Sequence, residues 1–134
     1  MAKCYLNDPD SEGVRNLVRA PAVLYSSVIC IAEVSSAIHR RVRERSLLRR
    51  QALEIGELFR ADVESGVWRL VPASEFLLWE VHETLRSLPA RVFLRSADAI
   101  HLASVRAAGL SEVWTNDRQM LRAARYFGLQ GRSA

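Results

Sequence analysis

The stretch from Ser96 to Asp117 constrains the fold more than any other, because its residues spell out a helix, a turn and a returning strand. The Ser96 hydroxyl can accept an N–H left unpaired in a first helical turn, which makes it the expected N-cap. Asp98 then falls in that first turn, where the helix dipole favours negative charge. Gly109 is a natural stop, since glycine takes the left-handed conformation that ends helices. Val113, Trp114 and Thr115 are β-formers, giving a strand over Glu112 to Thr115, and Asn116 or Asp117 is placed to cap another helix. A helix from Ala97 to Ala108 rises roughly 18 Å, and the strand returns roughly 13 Å. Asp117 is thus expected to come back to the edge where Asp98 began. Open α/β sheets place ligand sites at that edge.

The same grammar extends along the chain. Residues 7–12 read as a turn leading into a helix capped by Asp10 or Ser11 and reaching Arg19, with Pro21 breaking it. Ala22 to Ser26 reads as a short strand. Ser26 or Ser27 starts a helix to about Arg45, with Ile31, Val34, Ile38 and Val42 as the buried stripe. Leu47 to Ser65 is a second amphipathic helix, with Leu48, Ala52, Ile55, Leu58, Phe59 and Val63 on one face and Gly66 at its end. Val67 to Val71 is a strand stopped by Pro72. Ser74 caps a helix whose core face is Leu77, Leu78, Val81, Leu85 and Leu88, and Pro89 ends it. Arg91 to Arg95 is a loop or short strand. The last helix runs from Arg118 to Phe127 with Gly128 at its end, and Gln130 to Ala134 carries no signal. Strands alternating with helices imply an α/β fold: a parallel sheet flanked by helices, with Val23, Val71 and Val113 on buried strands.

A length of 134 residues makes one domain over 1–134 the default. No apolar run is long enough to span a membrane, and no signal-peptide pattern is present, so a cytoplasmic protein with no membrane partner is expected. Cys4 and Cys30 give neither zinc spacing nor a disulfide framework. The formal charge is +4, and all but one of the 19 basic residues are arginine. Arginine matches phosphate through a two-pronged fork, which makes nucleic acid a reasonable partner.

Four residues are candidates for chemistry. Glu33 is the only charged residue between Ala20 and Ile38, and it points away from the apolar stripe of its helix; it is either a ligand or part of a solvated face. Asp98 is either a ligand or a helix-end charge, and Asp117 either a ligand or a cap. Thr115 is either a β-former or a hydroxyl that orients a ligand. Converging carboxylates cannot all ionise without a cation. A hard divalent ion, Mg²⁺ or Mn²⁺, answers that need and can activate water and neutralise a phosphodiester. His101 lies near Asp98 on the helix surface and reads as a packed histidine or a ligand. Arg40, Arg41, Arg43, Arg45, Arg49 and Arg50 form a basic cluster, either a solvated helix end or an RNA-contacting patch.

Three segments carry a family likeness: Ser26-Ser27-Val-Ile-Cys-Ile-Ala-Glu33-Val, Ser96-Ala-Asp98-Ala-Ile-His101-Leu-Ala, and Thr115-Asn-Asp117-Arg. Together they resemble the PIN-domain ribonucleases, and among these the toxins of VapBC toxin–antitoxin pairs. The resemblance implies a Mg²⁺- or Mn²⁺-dependent endoribonuclease with Glu33, Asp98 and Asp117 as catalytic metal ligands and Thr115 as support. It also implies an RNA substrate, an antitoxin protein partner and a homodimer. Met1-Ala-Lys3-Cys-Tyr5-Leu-Asn-Asp-Pro resembles the part just after the family's first strand and first acidic residue. By that likeness the domain is N-terminally truncated, with the N-terminal strand missing. Asp8 and Asp10 are not expected to stand in for that residue. A non-catalytic PIN-like module that binds RNA or an antitoxin is the alternative.

Overall fold

The computed structural model describes residues 1–6, 11–18 and 23–133. The expected turn over 7–10 and the break at Pro21 lie outside the described residues. In chain order the elements are α1 (Ala2–Tyr5), α2 (Ser11–Val18), β1 (Leu24–Ser27), α3 (Cys30–Arg43), α4 (Arg49–Glu64) and β2 (Trp68–Val71). They continue with α5 (Glu75–Ser87), α6 (Ser96–Ala107), β3 (Glu112–Trp114), α7 (Arg118–Ala123), a 3₁₀ turn (Ala124–Phe127) and β4 (Gln130–Arg132). β1 pairs with β2, and β3 pairs with β4. This is a mixed α/β fold with short parallel strands flanked by helices. The chain divides into two compact units: Met1–Leu24 with Ile29–Leu70, and Tyr25–Val28 with Val71–Ala134.

The first unit is built on the buried stripe of α3. Cys30, Val34 and Ile38 recur every four residues and pack with Leu6 and Phe59. Ile31 lies off that stripe and is 46% exposed, because the helix begins at Cys30 and the small thiol takes the inward position. Ser26 and Ser27 do not cap α3; both belong to β1, and Ile29 holds the cap position without a side-chain bond. On α4 only Phe59 is fully buried, while Leu48 and Leu58 face solvent. α1 is tied down by a polar relay. The Tyr5 hydroxyl donates to Asp62 Oδ2 at 2.6 Å and accepts from Trp68 Nε1 at 2.8 Å. The Tyr5 ring meets Phe59 edge-on at 5.4 Å. Burial, and then the bond to the Asp62 carboxylate, push the Tyr5 phenol well above its ordinary value.

The second unit forms around α6. Ala99, Leu102 and Ala103 are buried, with Leu77 and Val81 of α5, Val113 of β3 and Phe127 in the same core. Leu78 of α5 is exposed, and so is Val23, which precedes β1 instead of lying on it. Ser104 satisfies its buried hydroxyl by donating to Ile100 O at 2.8 Å. β3 and β4 run parallel, with Glu112 opposite Gln130, Val113 opposite Gly131 and Trp114 opposite Arg132. No strand was expected at β4, since Gln-Gly-Arg has no β-former; α7 and the turn that follows deliver it beside β3. Gly131 lets β4 lie close against α7, because a Cβ there would sit 2.9 Å from Leu121 Cδ2.

Two outcomes follow. Gly131→Val should cost about 1–3 kcal/mol of unfolding free energy through overpacking against Leu121, read by urea denaturation; a change near zero would mean that α7 can shift freely. Tyr5→Phe should cost about 1–2 kcal/mol, because the Trp68 and Asp62 groups lose their partner. The sign of its pH dependence is fixed. The folded phenol holds its proton above the unfolded value of 10.0, so the stabilisation is complete below that pH and is lost as pH rises through the folded value. The stability gap between wild type and Tyr5→Phe should therefore narrow above about pH 10; a gap that widened there would contradict the relay.

Candidate functional site

Asp117 stands directly after β3 and starts α7. Its Oδ1 accepts from Gln119 N at 2.7 Å and Met120 N at 3.1 Å, a two-donor N-cap. Both bonds fall on one oxygen, so among the described residues Oδ2 takes no hydrogen bond, and the side chain is exposed. Thr115 braces this arrangement. Its Oγ1 accepts the Asp117 N–H at 3.1 Å, and its own N–H donates to Arg132 O at 2.8 Å. The strand β4 thus fixes Thr115, and Thr115 fixes the backbone from which the Asp117 carboxylate projects.

Asp98 lies in the first turn of α6 and is half-buried. Ser96 does not cap that helix. Arg95 occupies the cap position without a side-chain bond, so Ser96 is the first helical residue and Asp98 the third, one step further from the helix start than a Ser96 cap would put it and still in the first turn. Gly109, at φ 72°, reverses the chain after α6, and β3 returns beside the helix. Thr115 and Asp117 follow β3, and both β3 and α7 pack against α6, the helix that carries Asp98. His101 is half-buried one helical turn beyond Asp98.

Glu33 lies in the other unit, in the first turn of α3, and is exposed. Among the described residues, no three or more His, Cys, Asp or Glu side chains gather as a group that could hold a metal ion. The donor chemistry at Asp117, an exposed carboxylate with an open oxygen on a fixed backbone, suits a hard cation. The number of donors brought together falls short of a closed site.

A second concave feature lies on α3. Ser35, Ser36, His39, Arg40 and Arg43 line an open cleft of about 420 Å³. The arginines belong to the basic cluster seen in the sequence. The serines and the histidine carry no motif in the sequence; His39 follows Ser35 and Ser36 by about one helical turn.

The model of the PIN domain matches residues 3–126. The chain belongs to the PIN-domain family. PIN domains are generally nucleases that bind nucleic acid and use divalent metal ions. No curated protein and no solved structure matches the chain. The family match takes in α3, α6, β3 and α7, hence Glu33, Asp98, Thr115 and Asp117, and stops short of β4. No described helix is long and apolar enough to cross a membrane.

The two jobs of Asp117 separate by substitution. Asp117→Ala removes the cap and should cost about 1 kcal/mol of stability, whereas Asp117→Asn caps nearly as well and should stay within about 0.5 kcal/mol of wild type. Urea denaturation of both proteins checks this; equal losses would show that the carboxylate charge, and not the cap bonds, holds α7.

Proposed function

We propose that this PIN domain is a metal-dependent endoribonuclease, the toxin of a type II toxin–antitoxin pair, with an antitoxin protein as partner. The family match over most of the chain carries this reading, joined to the Asp-Ala-Ile-His-Leu-Ala and Thr-Asn-Asp segments that give the VapC likeness. Glu33, Asp98 and Asp117 are assigned as the acidic residues that hold Mg²⁺ or Mn²⁺. When bound, such an ion neutralises phosphodiester charge and lowers the pKa of a water.

The chain's own residues do the rest. Asp117 offers its unused Oδ2 without giving up its helix cap, so liganding there costs no secondary structure. Thr115 is a positioning residue: its hydroxyl holds the Asp117 N–H and keeps that carboxylate in one place. Asp98 lies in the first turn of α6, where the helix dipole favours a negative charge. The arginine-rich surface favours a polyanionic substrate at modest salt.

A second reading has one observation in its favour. Among the described residues no acidic group of three or more comes together, which suits a PIN-like module that binds RNA or an antitoxin without cutting.

The deciding assay is cleavage of single-stranded RNA with Mg²⁺ or Mn²⁺, and with EDTA as control. The nuclease reading expects metal-dependent products, abolished by Asp98→Asn or Asp117→Asn, since a neutral amide is a poorer ligand for a hard cation. Products that persist in EDTA, or in both variants, would refute the assignment. No cleavage of any tested RNA, with RNA still bound, would favour the module.

A further inference from the structure

The outer face of α3 gathers two arginines, a histidine and two serines around one open cleft. Four arginines elsewhere meet carboxylates: Arg50 meets Glu54, Arg86 meets Glu83, Arg106 meets Glu80 at 2.8 Å, and Arg132 meets Glu112 at 3.0 Å. Arg40 and Arg43 have no ion pair among the described residues, yet they line a concave surface together. His39 and two hydroxyls share that lining, and no carboxylate does. Ser35 spends its proton on Ile31 O at 2.8 Å, while Ser36 makes no hydrogen bond among the described residues and keeps its proton to give. The cleft is thus a set of unspent donors: two guanidinium forks, a hydroxyl and an imidazole. The ligand such donors fit is a compact oxyanion with several acceptor oxygens, which is the description of a phosphate.

A simpler account would be that arginines at a helix C-terminus offset the dipole. That account explains charge in the last turn, including Arg41, but gives no reason for a cleft with serines a turn earlier. Position adds a further point. Residues 33, 36, 40 and 43 fall on one side of a helix with 3.6 residues per turn. Glu33 and Arg40 are separated by roughly 10 Å of rise along α3, about three nucleotides at a stacked spacing of ~3.4 Å. One strand can touch both.

We propose that the cleft lined by Ser35, Ser36, His39, Arg40 and Arg43 holds a backbone phosphate of single-stranded RNA, laying the strand along α3 so that it passes Glu33. The inference rests on the nuclease reading for its choice of RNA over other phosphate carriers. It assigns a substrate-positioning role to residues outside the acidic set.

The test is binding of a fluorescein-labelled single-stranded RNA oligonucleotide to the full chain, followed by anisotropy in EDTA over a series of salt concentrations. Arg40→Ala with Arg43→Ala should weaken binding about tenfold. It should also reduce the slope of log affinity against log salt by about 0.7 for a single phosphate released. Arg49→Ala with Arg50→Ala removes the same charge from the start of α4, outside the cleft, and should change affinity far less. Arg40→Lys with Arg43→Lys, which keeps both the charge and the exposed helix surface, should restore the salt slope but not the full affinity, because lysine lacks the fork. Inorganic phosphate should compete with the RNA in wild type and not in the Arg40→Ala, Arg43→Ala protein.

Equal losses from the two alanine pairs would reduce the cleft to diffuse charge and overturn the proposal. Full rescue by lysine would overturn it too. So would a poly-glutamate peptide that binds through Arg40 and Arg43 where RNA does not. The same preparations are assayed for cleavage with Mn²⁺. A protein that binds RNA through the cleft but cuts nothing fails the nuclease reading alone. A protein that cuts, with RNA affinity indifferent to Arg40 and Arg43, fails the cleft alone.

Discussion

Close packing of α6 is the constraint on which the second unit depends. Ala99, Leu102 and Ala103 leave almost no accessible surface, and the two alanines let neighbouring elements approach nearer than larger side chains would allow. α5, β3 and the turn at Phe127 all share that core. Asp98 is the residue before Ala99, so the backbone that carries it is held by a neighbour packed in the core. A bulkier side chain at Ala99 or Ala103 would disturb the helix start as well as the core. Geometry at the candidate acidic edge is in this sense a by-product of hydrocarbon packing behind it.

Local chemistry made much of this legible. Gly109 and Gly128 end their elements in the left-handed conformation, Ser74 caps α5 through the Leu77 N–H, and Asp117 caps α7. Each depends only on a residue and its immediate neighbours. The misreadings arose where context outranks the residue. Ser96 has the better capping side chain, but the helix begins a residue earlier, at a cap position filled by Arg95. Ser26 and Ser27 look like caps and are drawn into a strand instead, and Ser27 ends buried with its hydroxyl unpartnered among the described residues. β4 has no sequence signature, because its extended form comes from pairing with β3, and Gly131 makes room for Leu121 of α7 beside it. The candidate residues were legible one by one from motif and spacing. The bracing of Asp117 by Thr115, itself anchored to Arg132 O, required the strand that sequence could not reveal.

α3 shows how one helix serves two solvents. Its inner side repeats Cys30, Val34 and Ile38, and its outer side carries Ser36, Arg40 and Arg43. The two periodicities are the same and differ only in phase, so neither constrains the chemistry of the other. Arg-to-polar exchanges on the outside leave the core untouched, and conservative core exchanges leave the charge pattern untouched. A binding surface on such a helix can change its specificity without renegotiating the fold.

The Tyr5 relay has a consequence for the way the chain finds its structure. Its two hydrogen bonds span 57 and 63 positions of sequence. By contrast, the helical and β3–β4 contacts of the second unit join elements that follow one another from α5 to β4, and only its segment Tyr25–Val28 comes from far away in sequence. Loop closure is only weakly dearer for longer loops at equilibrium, by about 0.6 kcal/mol per doubling. Kinetically the difference is larger, because non-local pairing must wait for the chain between to become ordered. The stretch from α5 to β4 can accumulate its contacts stepwise as neighbours meet. The first is closed by a tyrosine near the start of the chain, which has its partners only after α4 and β2 exist to receive it.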